Sequence, residues 1–198
     1  MPRKNPYAKP DHFTRAAKDA GFPARSVFKL EEIDRRTHLL KGGLRVLDLG
    51  AAPGSWSKYA AQKVGPTGRV LAVDLEPLAT ALPPNAAYLQ GDAFSLSDDD
   101  LSRFAPYDVV LSDMAPRTTG NRIWDQARSF ELFMRALAVA DRLGVRGGTF
   151  VGKIFMSDDL PAARAELRRL YASERLIRPE GTRSVSTEIF GVAAGKRE

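Results

Sequence analysis

Apolar residues fall along this chain in two rhythms. Short, nearly continuous runs recur at LRVLDLG (44–50), GRVLAVDL (68–75), AAYLQGDAF (86–94), YDVVLSDMAP (107–116) and GGTFVGKIF (147–155). Runs of that length bounded by Gly, Pro and Asp read as strands buried on both faces. Between them, SWSKYAAQKV (55–64), FELFMRALAVADRLGV (130–145) and LPAARAELRRLYA (160–172) carry apolar residues at helical spacing. Strand alternating with helix predicts an α/β fold, a mostly parallel sheet covered by helices on both faces. SERLIRPEG (173–181) and STEIFGVAAG (186–195) follow one another with no helix between them. They predict an antiparallel hairpin and an antiparallel strand at one edge.

Composition narrows the class. A chain of 198 residues with 43% hydrophobic content suits one globular domain with a substantial core. It has no cysteine and two histidines, His12 and His38, so thiolate or histidine metal sites are not expected. No apolar run approaches the ~20 residues that span a membrane, and the first residues lack the apolar core of a signal peptide. A monomer in the cytoplasm, with no metal and no membrane partner, is the expectation. The charge is uneven: residues 1–30 hold seven basic and two acidic side chains, in a chain of net charge +6. Tyr7, Phe13, Phe22 and Phe28 are interleaved with them. Cations with aromatics suit RNA, whose phosphates and unpaired bases they can meet together. A solvated tail is the equal alternative. This divides the chain into a basic arm, 1–28, and a domain, 29–198, with Lys9, Arg15, Lys18 and Arg25 as the expected RNA contacts.

Ligands of such sheets bind at the carboxyl ends of the strands. There the first strand brings Asp48 and Gly50, then Gly54, Ser55 and Trp56; the second brings Asp74, the third Asp92, the fourth Asp113 and the fifth Lys153. The loop G-A-A-P-G-S-W does not match the G-x-G-x-x-G of dinucleotide sites, and Pro53 lacks an N–H to offer a phosphate. A nicotinamide-dependent oxidoreductase is therefore disfavoured. An aspartate at one strand end is usually a turn former or helix cap. Four at successive ends form an acid-lined crevice, suited to a ligand with an ammonium, a sulfonium and a ribose diol. S-adenosylmethionine is such a ligand. Asp74 would accept from the ribose hydroxyls and Asp92 from the adenine amino group. Asp113 would lie near the methyl. Trp56 reads equally as core or as a wall beside the methionine. Lys153 interrupts an apolar strand, where lysine is rare.

These residues resemble a known family. The blocks SVFKLEEID, LDLGAAPGSWS, VDL, LQGD, LSDMAP, GGTFVGKIF and RSVSTEIFGVAAG are similar, in order, to those of the FtsJ/RrmJ ribose 2′-O-methyltransferases. The resemblance covers about Phe13 to Gly195. It implies a Rossmann-like class I methyltransferase fold and a catalytic Lys-Asp-Lys-Glu tetrad at Lys29, Asp113, Lys153 and Glu188. It also implies cofactor contacts at Gly54, Trp56, Asp74, Asp92 and Asp113. Lys153 would be the base or hydroxyl-orienting group, positioned by Lys29 and Glu188. The implied substrate is a uridine in large-subunit ribosomal RNA, naked or in the assembled subunit. Transfer RNA or cap substrates, or a non-catalytic RNA-binding assembly factor on the same scaffold, are the alternatives. The sequence departs from the family's usual form at Ser55, at Gly152 in VGK, and after Lys153.

Overall fold

The computed structural model describes residues 12–183 and 186–198. Seven strands form one sheet in the order β3-β2-β1-β4-β5-β7-β6. They are β1 (Arg45–Leu49), β2 (Arg69–Asp74), β3 (Ala86–Gln90), β4 (Tyr107–Ser112), β5 (Gly144–Phe155), β6 (Tyr171–Ile177) and β7 (Glu188–Lys196). β1 to β5 run parallel. The expected hairpin stands at one side of the sheet, with β7 antiparallel to both neighbours and β6 outermost. The helices are α1 (His12–Asp19), α2 (Val27–Thr37), α3 (Ser55–Val64), α4 (Asp98–Leu101), α5 (Arg122–Leu143) and α6 (Leu160–Leu170).

Strand pleating sorts the core in two. Leu47, Leu49, Val110 and Phe150 point to α5 and α6, where Phe133, Leu137 and Leu167 meet them. Val46, Val70, Leu111, Val151 and Phe190 point to α2 and α3, where Leu30, Ile33, Trp56 and Ala60 meet them. The period of two along each strand requires this division. Gly152, the departure in VGK, has a packing reason. It pairs with Gly191 across β5 and β7, and a Cβ on Gly152 would stand 2.9 Å from the Phe133 ring. The two glycines make the seat for that ring.

α5 begins eight residues before the apolar run that predicted it. Asn121 caps it, its side chain accepting from the Ile123 and Trp124 N–H groups. The Asp125 carboxylate accepts from the N–H and hydroxyl of Thr119 and from the Gly120 N–H. Polar caps start this helix, so apolar periodicity could not find its first turns.

The expected boundary at residue 28 falls inside α2. Residues upstream of it already grip the domain. The Ser55 hydroxyl donates to the Ala24 carbonyl and accepts from the Ala24 N–H. Trp56 Nε1 donates to the Ser26 carbonyl at 2.8 Å, and Lys58 donates to the Gly21 carbonyl. Phe13 packs on Phe28 at 5.9 Å, and Lys58 lies over the Phe22 ring.

Candidate active site

The site is built by strand register. Val46 pairs with Val70 and Val109, Val109 with Thr149, and Lys153 with Phe190. Counting by twos, Asp48, Asp74, Asp113, Lys153 and Glu188 all fall on the face covered by α2 and α3. α2 then adds Lys29 over the same face. Ser112 pairs with Gly152, so Asp113 and Lys153 emerge side by side. Lys153 Nζ donates to the Asp113 backbone carbonyl at 2.6 Å and to its carboxylate at 2.9 Å. Glu188 pairs with Phe155, one pleat further out, and closes an ion pair with Lys29. The four tetrad residues thus form two lysine–carboxylate pairs. Lys29, which could have been a cation against Lys153, instead has Glu188 as its partner.

Both pairs are shielded. Lys153 is 7% exposed, and the Lys29 and Glu188 side chains are each 13% exposed. Burial alone would push the Glu188 carboxyl up. The Lys29 ammonium, with help from Lys153, outweighs it and holds Glu188 below the usual carboxylate range. A pocket of about 550 Å³ opens beside this pair. Arg25, Arg122, Gln126, Phe155 and Arg183 line it with Lys29 and Glu188. Arg25 donates to the Gly181 carbonyl. Burial and the facing Arg183 lower its pKa, with Glu188 opposing them.

The crevice above β1 and β2 holds the other expected residues. Gly50 has φ +79°, and a Cβ there would lie 2.7 Å from the Met114 backbone nitrogen. Gly54 has φ +110°. Only glycine fits both turns of the loop. The Asp74 carboxylate accepts from Ala52 N–H at 2.8 Å and from Glu76 N–H at 2.9 Å, so it sets the loop's shape. Asp92, half-buried, accepts from Phe94 N–H.

Three more of the residues expected at the cofactor are buried. Asp48 pairs with Ala72 and Leu111, one pleat below Asp74 and Asp113. It is 0% exposed; one oxygen takes the Ser57 hydroxyl and the other has no partner. It is the floor beneath the crevice. Ser55 is spent on Ala24, and Trp56, 2% exposed, packs on Phe190 at 5.6 Å. These two begin α3, but residues 21–26 fold back across them. Among the expected RNA contacts, Arg25 stands in the pocket wall, Arg15 and Lys18 are exposed on α1, and Lys9 lies outside the described residues. Sequence reading missed Arg122, Gln126 and Arg183. The first two sit in the polar start of α5, and Arg183 sits in a loop with no periodicity to mark it.

Burial pushes the Asp48 carboxyl up to about 7; the Ser57 hydrogen bond opposes this, and Asp113 and Asp74 add to it. The folded state then holds a proton that the unfolded chain releases near pH 3.8. The Asp48 contribution to stability therefore falls as pH rises between about 4 and 7, by at most ~1.4 kcal/mol per pH unit. Asp48→Asn removes that slope. In urea unfolding the variant is expected to gain on the wild type steadily across this window. Parallel stability curves would show that Asp48 is ionised in the fold.

A seven-stranded sheet with its last strand inserted antiparallel, and acids at its carboxyl edge, is the Rossmann-like architecture of methyltransferases. Two solved structures share the fold. One is a Plasmodium falciparum protein named as a ribosomal RNA methyltransferase, with TM-score 0.78 and 22% identity over 88% of this chain and 98% of its own. The other is Aeropyrum pernix fibrillarin with natively bound S-adenosylmethionine, with TM-score 0.57 and 16% identity over 79% and 68% of the two chains. The FtsJ-like methyltransferase family model matches residues 22–196, and the chain belongs to that family. It is 65% identical to ribosomal RNA large subunit methyltransferase E of Sorangium cellulosum, over 98% of this chain and 93% of the relative. It is 50% identical to the protein of the same name from Oleidesulfovibrio alaskensis, over 93% and 91% of the two chains. No helix among the described residues is long and apolar enough to cross a membrane. No group of three or more His, Asp or Glu among them is placed to hold a metal ion.

Proposed function

We propose that this chain transfers a methyl group from S-adenosylmethionine to a ribose 2′-hydroxyl of RNA, on a uridine of large-subunit ribosomal RNA. The carrying observation is the pair of shielded lysine–carboxylate contacts, Lys153–Asp113 and Lys29–Glu188, beside a cationic pocket. The names of the 65% and 50% identical relatives support the ribosomal RNA substrate. The crevice suits the cofactor. Burial of Asp48 is compounded by Asp74 and Asp113, so the strand ends carry a negative field that favours a cationic ligand. Gly50, Gly54, Asp74, Asp92 and Asp113 would hold it. Bound there, S-adenosylmethionine supplies a methyl carried on a sulfonium.

The chain's own residues do the rest. An ammonium has three N–H donors, and Lys153 uses two on Asp113. The third position on the nitrogen is left for the 2′-oxygen, which it orients toward the methyl. In its neutral form the same nitrogen takes the proton. Asp113 fixes the lysine, and the Lys29–Glu188 pair shapes the pocket that takes the nucleotide. Holding the reacting groups in line can supply ~7–11 kcal/mol of the barrier.

Incubation with methyl-labelled S-adenosylmethionine and large ribosomal subunits or their RNA tests the reading. Label is expected in a dinucleotide that resists alkali, because a methylated 2′-oxygen cannot attack the adjacent phosphate. Label in a base, or none, overturns it. In the same reading Lys9, Arg15 and Lys18 of the arm meet RNA phosphates. Their replacement by alanine is expected to lower the salt slope of RNA binding by about 0.7 for each phosphate no longer neutralised. An unchanged slope removes the arm from the interface.

A further inference from the structure

The chain has two tryptophans, and the fold treats them oppositely. Trp56 is 2% exposed, whereas Trp124 is 66% exposed and its neighbour Ile123 is 79% exposed. Both of the latter stand in the first turn of α5, beside Arg122 of the pocket wall. Helical spacing turns Arg122, Asp125 and Gln126 to the pocket and Trp124 to the outer side. A helix with its side chains is ~10–12 Å across, so Trp124 stands about one helix width from the pocket mouth. The turn is held firmly. Asn121 accepts from the N–H groups of Ile123 and Trp124. Asp125 is bonded to Thr119 and Gly120, and Gln126 donates to the Met156 carbonyl. A large apolar ring on a rigid support loses little entropy when it is covered.

The surroundings indicate what covers it. Arg122 makes no ion pair among the described residues, and Arg25, Lys29 and Arg183 share its pocket. Of the two acids there, Asp125 is bonded into its own loop and Glu188 faces both Lys29 and Arg25, so cations outnumber acids in the pocket wall. Protein interfaces also enrich Trp and Arg, but they deplete charge overall at their apolar centre. An aromatic plate flanked by cations is instead the arrangement that takes single-stranded nucleic acid, with bases stacked and phosphates paired. We propose that Trp124, edged by Ile123, is a stacking platform for an unpaired base of the RNA strand flanking the nucleotide held in the pocket. The inference rests on the RNA reading above.

Fluorescence of the full chain tests it, because Trp124 is the solvent-facing emitter and Trp56 is shielded. The probes are a single-stranded fragment of ribosomal RNA and polyphosphate, which has charge without bases. RNA is expected to quench Trp124 and protect it from acrylamide; polyphosphate is expected to do neither. Trp124→Ala is expected to weaken RNA binding by about 5- to 150-fold. KM for RNA rises while kcat and the salt slope hold. Trp124→Phe retains most of the affinity. RNA binding with no quenching and no weakening in Trp124→Ala overturns the platform and leaves the RNA reading standing. No RNA binding by the wild type overturns both. Protection of Trp124 by intact ribosomal subunits but not by their RNA overturns the base and assigns the patch to a protein.

Discussion

Lys153→Ala is expected to lower methyl transfer by about 10²–10⁴-fold or more, the range for removal of an acid–base group. S-adenosylmethionine affinity, measured by calorimetry, should stay within a few-fold of the wild type. The reason is positional. Lys153 lies in β5 beyond Asp113, and its two hydrogen bonds both go to that residue. Of the residues proposed to hold the cofactor it touches Asp113 alone; Gly50, Gly54, Asp74 and Asp92 are two strands or more away in the sheet order. Lys153→Met fills the same space without charge, so a stable but inactive Met variant separates chemistry from packing. Lys153→Arg should not restore activity. A planar guanidinium cannot reproduce one nitrogen bonded to both a carbonyl and a carboxylate with a donor to spare, and it does not release its proton. Equal loss of cofactor binding and turnover would make Lys153 a structural residue.

Trp56→Ala is expected to cost about 3–5 kcal/mol of stability, against a total that is typically about 5–15 kcal/mol. The indole is buried against Phe190, and its Nε1 holds the Ser26 carbonyl. Its removal should therefore loosen residues 21–26 as well as the core. Urea unfolding gives the first effect, and protease cleavage within residues 12–26 gives the second. Trp56→Phe keeps most of the volume and strands the Ser26 carbonyl, at a cost of about 1–3 kcal/mol. A Trp56→Ala protein of normal stability that had lost only cofactor affinity would restore the indole to the cofactor wall.

Trp56 also shows what a sequence can and cannot tell. α3 is found at Ser55–Val64 from its spacing alone, because one strand and one helix face are local patterns. That residues 21–26 cross its N-terminus is a contact over about thirty positions, and no period encodes it. Asp48 is a subtler case. Its place near a strand end made it a ligand candidate, but only register against Ala72 and Leu111 reveals that it lies one pleat below Asp74 and Asp113. Asp74, Asp113 and Lys153 were legible for the opposite reason. Asp74 and Asp113 end apolar runs and Lys153 interrupts one, at places where a charged group must have a use or a partner. Glu188 was reached by resemblance, since its strand opens with polar residues and has no apolar run to interrupt.

The position of β7 bears on how the molecule comes into being. β6 precedes β7 in the chain but lies outside it, touching the sheet through β7 alone. Until β7 is in place, β5 has an open edge over Thr149–Phe155 and β6 has no strand to pair with. An unpaired edge of that length invites pairing with other chains. When β7 enters, it seals β5, recruits β6 and delivers Glu188 to Lys29 in one event. Closing the sheet and forming the Lys29–Glu188 pair are thus the same step: a chain stopped before Glu188 has both an adhesive edge and a Lys29 without that carboxylate.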